Sequence, residues 1–157
     1  KNVLCGVREN LEGFSYYNTA SLHLEGFDVD LCRAVSAAIF GNADHVEFVL
    51  VSHSDRFASL ANHSVDLLAS AVGYTMERDV NEASTQNGFS FTDPYLFVGT
   101  GSVGVPKFVH CVDKLDFRNS NGCANPLAMV TREDDLQWSD FINYVLQALL
   151  IAEMENI

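Results

Sequence analysis

Apolar and polar positions follow two alternating patterns along the chain. Short runs of apolar and β-branched residues predict strands, and these runs occur at 3–7, 46–51, 65–72, 88–91, 95–98 and 127–131. Helices are predicted from apolar residues three and four positions apart or from capping residues, at 27–40, 55–62, 76–83 and 138–152. This β-α-β-α-β order predicts an α/β fold, with a mainly parallel sheet and helices on both of its faces.

Local signals set the ends of these elements. Gly41 and Asn42 end the first helix, while Ser54 and Thr75 are expected to cap the second and third helices. The first helix is expected to bury a face containing Phe27, Leu31, Ala34, Val35, Ala38 and Ile39. Residues 11–25 are predicted to form a loop, because Gly13, Asn18 and Thr19 interrupt any period.

Length and charge exclude several classes of function. The 157 residues fit one domain, and they carry 9 Lys and Arg against 21 Asp and Glu, a formal net charge of −12. Such a surface repels phosphate and anionic lipid, so a nucleic acid or a polybasic membrane anchor is not expected. The most apolar stretch, 141–152, contains Asn143 and Gln147 and is shorter than the roughly 20 residues of a membrane span. Lys1 leads directly into a predicted strand, so the chain is interpreted as either cytosolic or already freed of a leader.

Four cysteines allow three disulfide pairings. Cys111 and Cys123 flank a loop rich in Asp, Asn and Gly, which makes them a candidate disulfide. Cys5 and Cys32 lie in apolar, patterned segments, where two buried thiols and a bridge are both compatible with the sequence.

The familiar catalytic and cofactor motifs are missing or out of context. Gly99, Gly101 and Gly104 match the spacing G-x-G-x-x-G, but Pro106 follows where a dinucleotide site needs a helix. A Gly-rich connector is the preferred interpretation. The five histidines lack metal-ligand spacing, and neither C-x-x-C nor G-x-S-x-G occurs. We therefore expect no metal, no cofactor and no catalytic residues.

One segment has the chemistry of a binding site. Residues 73–78 follow a buried strand and open a helix, and ligands bind at the carboxyl ends of strands in open parallel sheets. Backbone amides there and the forked guanidinium of Arg78 would suit a carboxylate. The alternative is a simple helix cap, with Arg78 paired on the surface with Glu77 or Asp79.

Several motifs resemble those of a known family. Residues 26–35, Gly-Phe-Asp-Val-Asp-Leu-Cys-Arg-Ala-Val, resemble the first-helix signature of polar amino-acid-binding proteins of bacterial ABC importers. These are the family 3 solute-binding proteins, which have the type II periplasmic-binding fold. Further motifs follow in the family's order, at 13–16, 46–49, 56–66, 75–79, 89–95, 125–132 and 137–153.

The resemblance implies two lobes with a ligand cleft between them, but it covers only residues 1–98 and 125–157. Residues 99–124 stand where a second lobe belongs, and they are too few to form one. We therefore expect a single domain, 1–157, that corresponds to lobe one, with a short loop replacing lobe two.

The resemblance also implies a set of ligand-binding residues, with binding that is weak or lost. These are Arg78, Thr75, Ser70, Phe14 and Asp28. Ala71, Val72 and Gly73 offer no side-chain hydrogen bonds in the same stretch. Two charged contacts of about 1.5–3 kcal/mol each, less the cost of immobilising the ligand, leave roughly millimolar affinity.

Three functions follow from this picture. The first is a non-enzymatic accessory subunit, bound to other protein subunits of a larger assembly through the surface that the second lobe would cover. The second is a module of an ABC-type uptake system that still binds a polar amino acid. The third is an enzyme resembling the arogenate or prephenate dehydratases of this fold. The resemblance implies an exported chain, in the periplasm, an organelle lumen such as the thylakoid lumen, or the extracellular space.

Overall fold

A computed structural model describes residues 2–98 and 125–155. Its strands are β1 (Val3–Arg8), β2 (Tyr16–Asn18), β3 (His23–Glu25), β4 (Val46–Val51), β5 (Leu67–Gly73), β6 (Phe89–Phe91), β7 (Leu96–Val98) and β8 (Asn125–Arg132). Its helices are α1 (Phe27–Phe40), α2 (Arg56–Ala61), α3 (Met76–Asn81) and α4 (Leu136–Glu155). Strands and helices alternate as the sequence pattern predicts.

The main sheet has the order β4-β1-β5-β8-β6, and β7 also pairs with β8. Strands β4, β1 and β5 are parallel, because α1 and α2 carry the chain back across the sheet between them. Strand β8 runs antiparallel to β5, β6 and β7. The parallel half therefore contains the strand ends at which a ligand site is expected.

Both faces of the sheet are covered, as predicted. Side chains that alternate along β5 enter two separate cores, Leu67 and Ala69 on one face and Leu68 and Val72 on the other. Helices α1 and α4 cover the first face, and α2 covers the second. Strand β5 is thus buried from both sides, which explains its nearly continuous apolar sequence.

Two local predictions are corrected by the structure. Residues 11–25 contain the antiparallel hairpin β2–β3, whose strands of three residues are too short to show a period. On α1, Phe27 and Ile39 are 46% and 39% exposed, while Val29 and Cys32 are fully buried. Helix α1 contacts both the sheet and α4, so its buried face differs from the one that spacing alone indicated.

The capping predictions had mixed outcomes. Gly41 ends α1 in the left-handed conformation, and the Thr75 side chain accepts a hydrogen bond from the Arg78 backbone N–H, as expected. Ser54 does not cap α2, because that helix begins after Asp55 and has no side-chain cap. The Ser54 hydroxyl instead lies 2.9 Å from the hydroxyl of Ser52.

The structure resolves the alternatives for one cysteine pair. Cys5 of β1 and Cys32 of α1 form a disulfide, and both residues are fully buried. Cys111 and Cys123 lie outside the described residues, as does the Gly-rich segment that begins at Gly99. Within the described ranges, the structure contains no helix that is long and apolar enough to cross a membrane.

Candidate functional site

The parallel strands end along one edge of the sheet, and charged and polar residues follow each of them. Arg8 is the last residue of β1, and His53 follows β4. Ser70 lies in the middle of β5, and Gly73 is its last residue. This edge is where an open parallel sheet presents its ligand site.

Arg78 is held against this edge by backbone contacts. Its Nη1 donates to the carbonyl oxygen of Gly73 at 2.7 Å, and its backbone N–H lies 3.4 Å from the Thr75 hydroxyl. Its guanidinium carbon lies 5.6 Å from the centre of the Phe57 ring. Arg78 forms no ion pair with a described residue, so the predicted alternative of pairing with Glu77 or Asp79 is not observed. The half-buried guanidinium keeps donors for an external carboxylate.

Ser70 lies deeper in the fold than Arg78. It is fully buried, and its carbonyl oxygen accepts a hydrogen bond from Nη1 of Arg56 at 3.3 Å. Among the described residues, the Ser70 hydroxyl and Arg56 Nε are buried without a hydrogen-bond partner. Buried polar atoms are usually paired, so these two atoms are exceptions in the interior below the edge.

The sequence pattern alone does not identify Arg56 as a candidate site residue. It is 2% exposed and stacks on Phe57 with its guanidinium carbon 5.3 Å from the ring centre. The available signal was an arginine opening a short helix that directly follows a predicted parallel strand. Its burial depends on the packing of α2 against the sheet, which spacing alone does not reveal.

Asp28 belongs to the interior and positions the end of β5. One carboxylate oxygen accepts the Tyr95 hydroxyl proton at 2.8 Å, and the other accepts the Ala71 N–H at 2.9 Å. Burial raises the pKa of Asp28 to about 6, although the hydrogen bonds from Tyr95 and Ala71 oppose that shift. Both oxygens are occupied by the protein itself, and Ala71 is held at a positive φ of 45°.

Phe14 lies at the start of α1. Its carbonyl oxygen accepts the Asp28 N–H at 2.9 Å, and its ring packs against the core on the α1 face of the sheet. Gly26 makes this close approach possible, because it has a φ of 127° and a Cβ there would overlap the Phe14 carbonyl. Phe14 and Asp28 are thus brought together, while Thr75, Arg78 and Ser70 lie around the end of β5.

Positive charge concentrates at this edge. Burial lowers the pKa of Arg56 to about 10, and the charges of Arg78 and Arg8 lower it further. The pKa of His53 is lowered as well, chiefly by the charge of Arg56. In residues 2–98 and 125–155, no three His, Cys, Asp or Glu side chains come together in a way that could hold a metal ion.

The described residues form one lobe of a type II periplasmic-binding fold. The model of the bacterial extracellular solute-binding proteins, family 3, matches residues 3–155, and the chain belongs to this family. This confirms the resemblance carried by the motifs at 26–35 and 75–79.

Individual relatives support the same assignment. YhdW of Escherichia coli (strain K12) is 34% identical over 103 residues, covering 66% of this chain and 30% of YhdW. The general L-amino acid-binding periplasmic protein AapJ of Rhizobium johnstonii is 35% identical over 99 residues, covering 63% of this chain and 27% of AapJ. The match thus spans less than a third of the length of either relative.

A solved structure shares the fold. The arginine-bound form of domain 1 from TmArgBP superposes with a TM-score of 0.66 at 22% sequence identity, over 94% of this chain and 92% of that one. The relatives are amino-acid-binding proteins of ABC transporters, and nothing in these comparisons shows an accessory role without ligand binding. They favour the second of the three functions over the first.

Proposed function

We propose that the chain is an amino-acid-binding lobe of an ABC-type uptake system and that Arg78 receives the ligand carboxylate. The observation that carries this proposal is the guanidinium of Arg78, which is anchored on the Gly73 carbonyl and has no ion pair among the described residues. An anchored fork loses little freedom on binding, and it matches the two oxygens of a carboxylate. The Thr75 hydroxyl lies beside it.

The relatives support an amino acid as the ligand. AapJ is named as a general L-amino acid-binding periplasmic protein, and domain 1 of TmArgBP was solved with arginine bound. The second of these is a single domain similar in extent to this chain. It supports the view that one lobe can retain an amino acid. The single-lobe organisation of residues 1–157 remains a prediction, since residues 99–124 lie outside the described part.

Titration calorimetry with the common amino acids tests the proposal. We expect measurable heat with at least one polar amino acid and a loss of affinity of about ten- to a hundredfold in Arg78→Ala, the worth of one charged hydrogen bond. Arg33→Ala is the matched control, because Arg33 lies on α1 in an exposed ion pair with Asp30. Circular dichroism checks that the variants are folded. No heat with any amino acid in the unmodified chain would overturn the proposal.

The accessory-subunit function has one observation in its favour. An apolar groove of about 360 Å³ runs between α1 and α4 and is lined by Ala34, Ala38, Tyr144, Val145, Ala148 and Leu149. Light scattering on the purified chain, which gives its oligomeric state, and titration calorimetry, which gives its affinity, together separate the two functions. A monomer with micromolar affinity for an amino acid would contradict the accessory role.

Export to the periplasm is proposed from the family, whose description names extracellular proteins.

A further inference from the structure

The five arginines in residues 2–98 and 125–155 divide into two groups. Arg33 pairs with Asp30 at 3.1 Å, and Arg132 pairs with Asp134 at 3.4 Å. The remaining three form no ion pair within the described ranges, and they are Arg8, Arg56 and Arg78. The chain has 21 acidic residues, so acidic side chains are abundant, yet this group of arginines is left without one.

All three arginines belong to the edge where the parallel strands end. Arg8 is the last residue of β1, and Arg56 opens α2 after β4. Arg78 is bonded to Gly73, the last residue of β5. Arg56 and Arg78 both place their guanidinium carbons within 6 Å of the same Phe57 ring, at 5.3 and 5.6 Å. We call these three residues the arginine cluster.

The arginine cluster keeps unused hydrogen-bond donors. A guanidinium has five N–H donors. Arg78 uses one on Gly73. Arg56 uses Nη1 on Ser70 and has Nη2 3.5 Å from Nε2 of His53, while its Nε has no partner among the described residues. The half-buried Arg8 side chain makes no hydrogen bond to the described residues. Its fork is therefore available to an external acceptor.

The members of the cluster are close enough to repel one another. Burial lowers the pKa of Arg56, and the charges of Arg78 and Arg8 lower it further. The pKa of His53 is lowered chiefly by the charge of Arg56, and also by burial and by the charges of Arg8 and Arg78. The carboxylate of Asp28 interacts electrostatically with Arg8, and that of Glu82 with Arg56, but neither pair lies within ion-pair distance. Asp28 already accepts hydrogen bonds from Tyr95 and Ala71. The edge thus carries three guanidinium groups with no carboxylate at ion-pair distance among the described residues.

We propose that the ligand is an amino acid with an acidic side chain, which places one carboxylate on Arg78 and the second on Arg8. This inference rests on the proposed function. An amino acid with a neutral side chain brings one carboxylate and one ammonium, so it leaves the excess charge of the cluster in place. A second carboxylate compensates it. Arg56 is 2% exposed, so it contributes positive charge from beneath and makes no direct contact.

Pairs of amino acids with the same shape test the inference. Glutamate is compared with glutamine, and aspartate with asparagine, by calorimetry on the full chain at one ionic strength. One additional charged hydrogen bond corresponds to about a ten- to hundredfold gain in affinity, so the acidic member of each pair should bind at least tenfold more tightly. In Arg8→Gln, the acidic amino acid should lose that advantage and bind no more than about threefold more tightly than the amide of the same shape.

Two controls keep the outcomes distinct. Arg33→Gln removes an ion-paired arginine of the same lobe and should change neither affinity. Arg8→Lys keeps the charge but not the fork, and it should retain part of the preference for the acidic ligand. If the amides bind as tightly as the acids, this inference is wrong and the proposed function stands. If no amino acid binds, both are wrong.

Discussion

At the scale of single residues, Asp28 shows how a side chain can serve a site without facing it. The sequence places it in the family motif at 26–35, where it was predicted to touch a ligand. The structure buries it completely and uses both of its oxygens to hold Tyr95 and the Ala71 backbone. Its effect on binding is therefore expected to be indirect, through the shape of the end of β5.

The buried carboxyl group of Asp28 should make stability depend on pH. Its pKa rises from an ordinary 3.8 to about 6 in the folded chain, so between these values the native state holds a proton that the unfolded state has released. Stability contributed by the protonated form is then complete below pH 3.8 and is lost as pH rises through about 6. A shift of about two units corresponds to about 3 kcal/mol.

Asp28→Asn isolates this effect from the other carboxyl groups. The unfolding free energy of the unmodified chain minus that of Asp28→Asn should fall by about 3 kcal/mol from pH 3 to pH 7. Urea denaturation at a series of pH values measures it. A difference that stays flat across this range would contradict a raised pKa for Asp28.

At the scale of elements, the crossover from β1 to α1 is fastened at two points. The disulfide between Cys5 and Cys32 joins the strand to the helix, and the loop at 13–15 is bonded to the start of α1. The two contacts hold Phe14 and Asp28 in place beside the end of β5. Each can be removed by a small change in sequence.

Loss of the disulfide should destabilise the fold substantially. Cys5 and Cys32 are 27 positions apart, and closing a loop of that length in the unfolded chain contributes about 3–4 kcal/mol. Cys5→Ala, Cys32→Ala and the double variant should all lose similar stability, because any one of them breaks the bond. Chemical denaturation of the three variants is the measurement. Additive losses in the double variant would show that the bond itself is not the source.

Gly26 should tolerate no side chain. In Gly26→Ala, the new Cβ meets the backbone of Phe14 and the residue must keep a φ of 127°, so we expect a loss of at least about 3 kcal/mol. Gly41→Ala is the matched control, because Gly41 also has a positive φ but nothing lies within 4 Å of a Cβ there. It should cost only about 1–2 kcal/mol of left-handed strain. Equal losses would refute the steric role of the Phe14 loop.

At the scale of the whole molecule, the predicted single-lobe organisation should limit the affinity for a ligand. A ligand held at an open edge stays about half exposed, whereas tight pockets bury 70–90% of a ligand. We therefore expect the 157-residue chain by itself to bind its amino acid with a dissociation constant between roughly 0.1 and several millimolar. Calorimetry or an NMR titration provides the value. Nanomolar affinity would mean that the ligand is enclosed on both sides, and the prediction of a single lobe would be wrong.

The sequence alone determined the order of the elements and the general location of the site. Helix α1 spans Phe27–Phe40 as predicted, because fourteen residues provide enough turns for the helical period to be visible. Thr75 and Arg78 could be proposed as ligand-binding residues because a buried strand followed by a capped helix is a local pattern, and their role stays a prediction. Short elements such as the hairpin β2–β3 escaped, since three residues carry no period.

The tertiary structure alone decided which distant residues meet. Three such features depend on the packing of α1 and α2 against the parallel strands. They are the pairing of Cys5 with Cys32, the burial of Asp28 between Tyr95 and Ala71, and the approach of Arg56 and Arg78 to the same Phe57 ring. Such contacts join residues that lie tens of positions apart in the chain. Local spacing describes only neighbouring turns, whereas burial and charge at the site come from elements that the fold brings together.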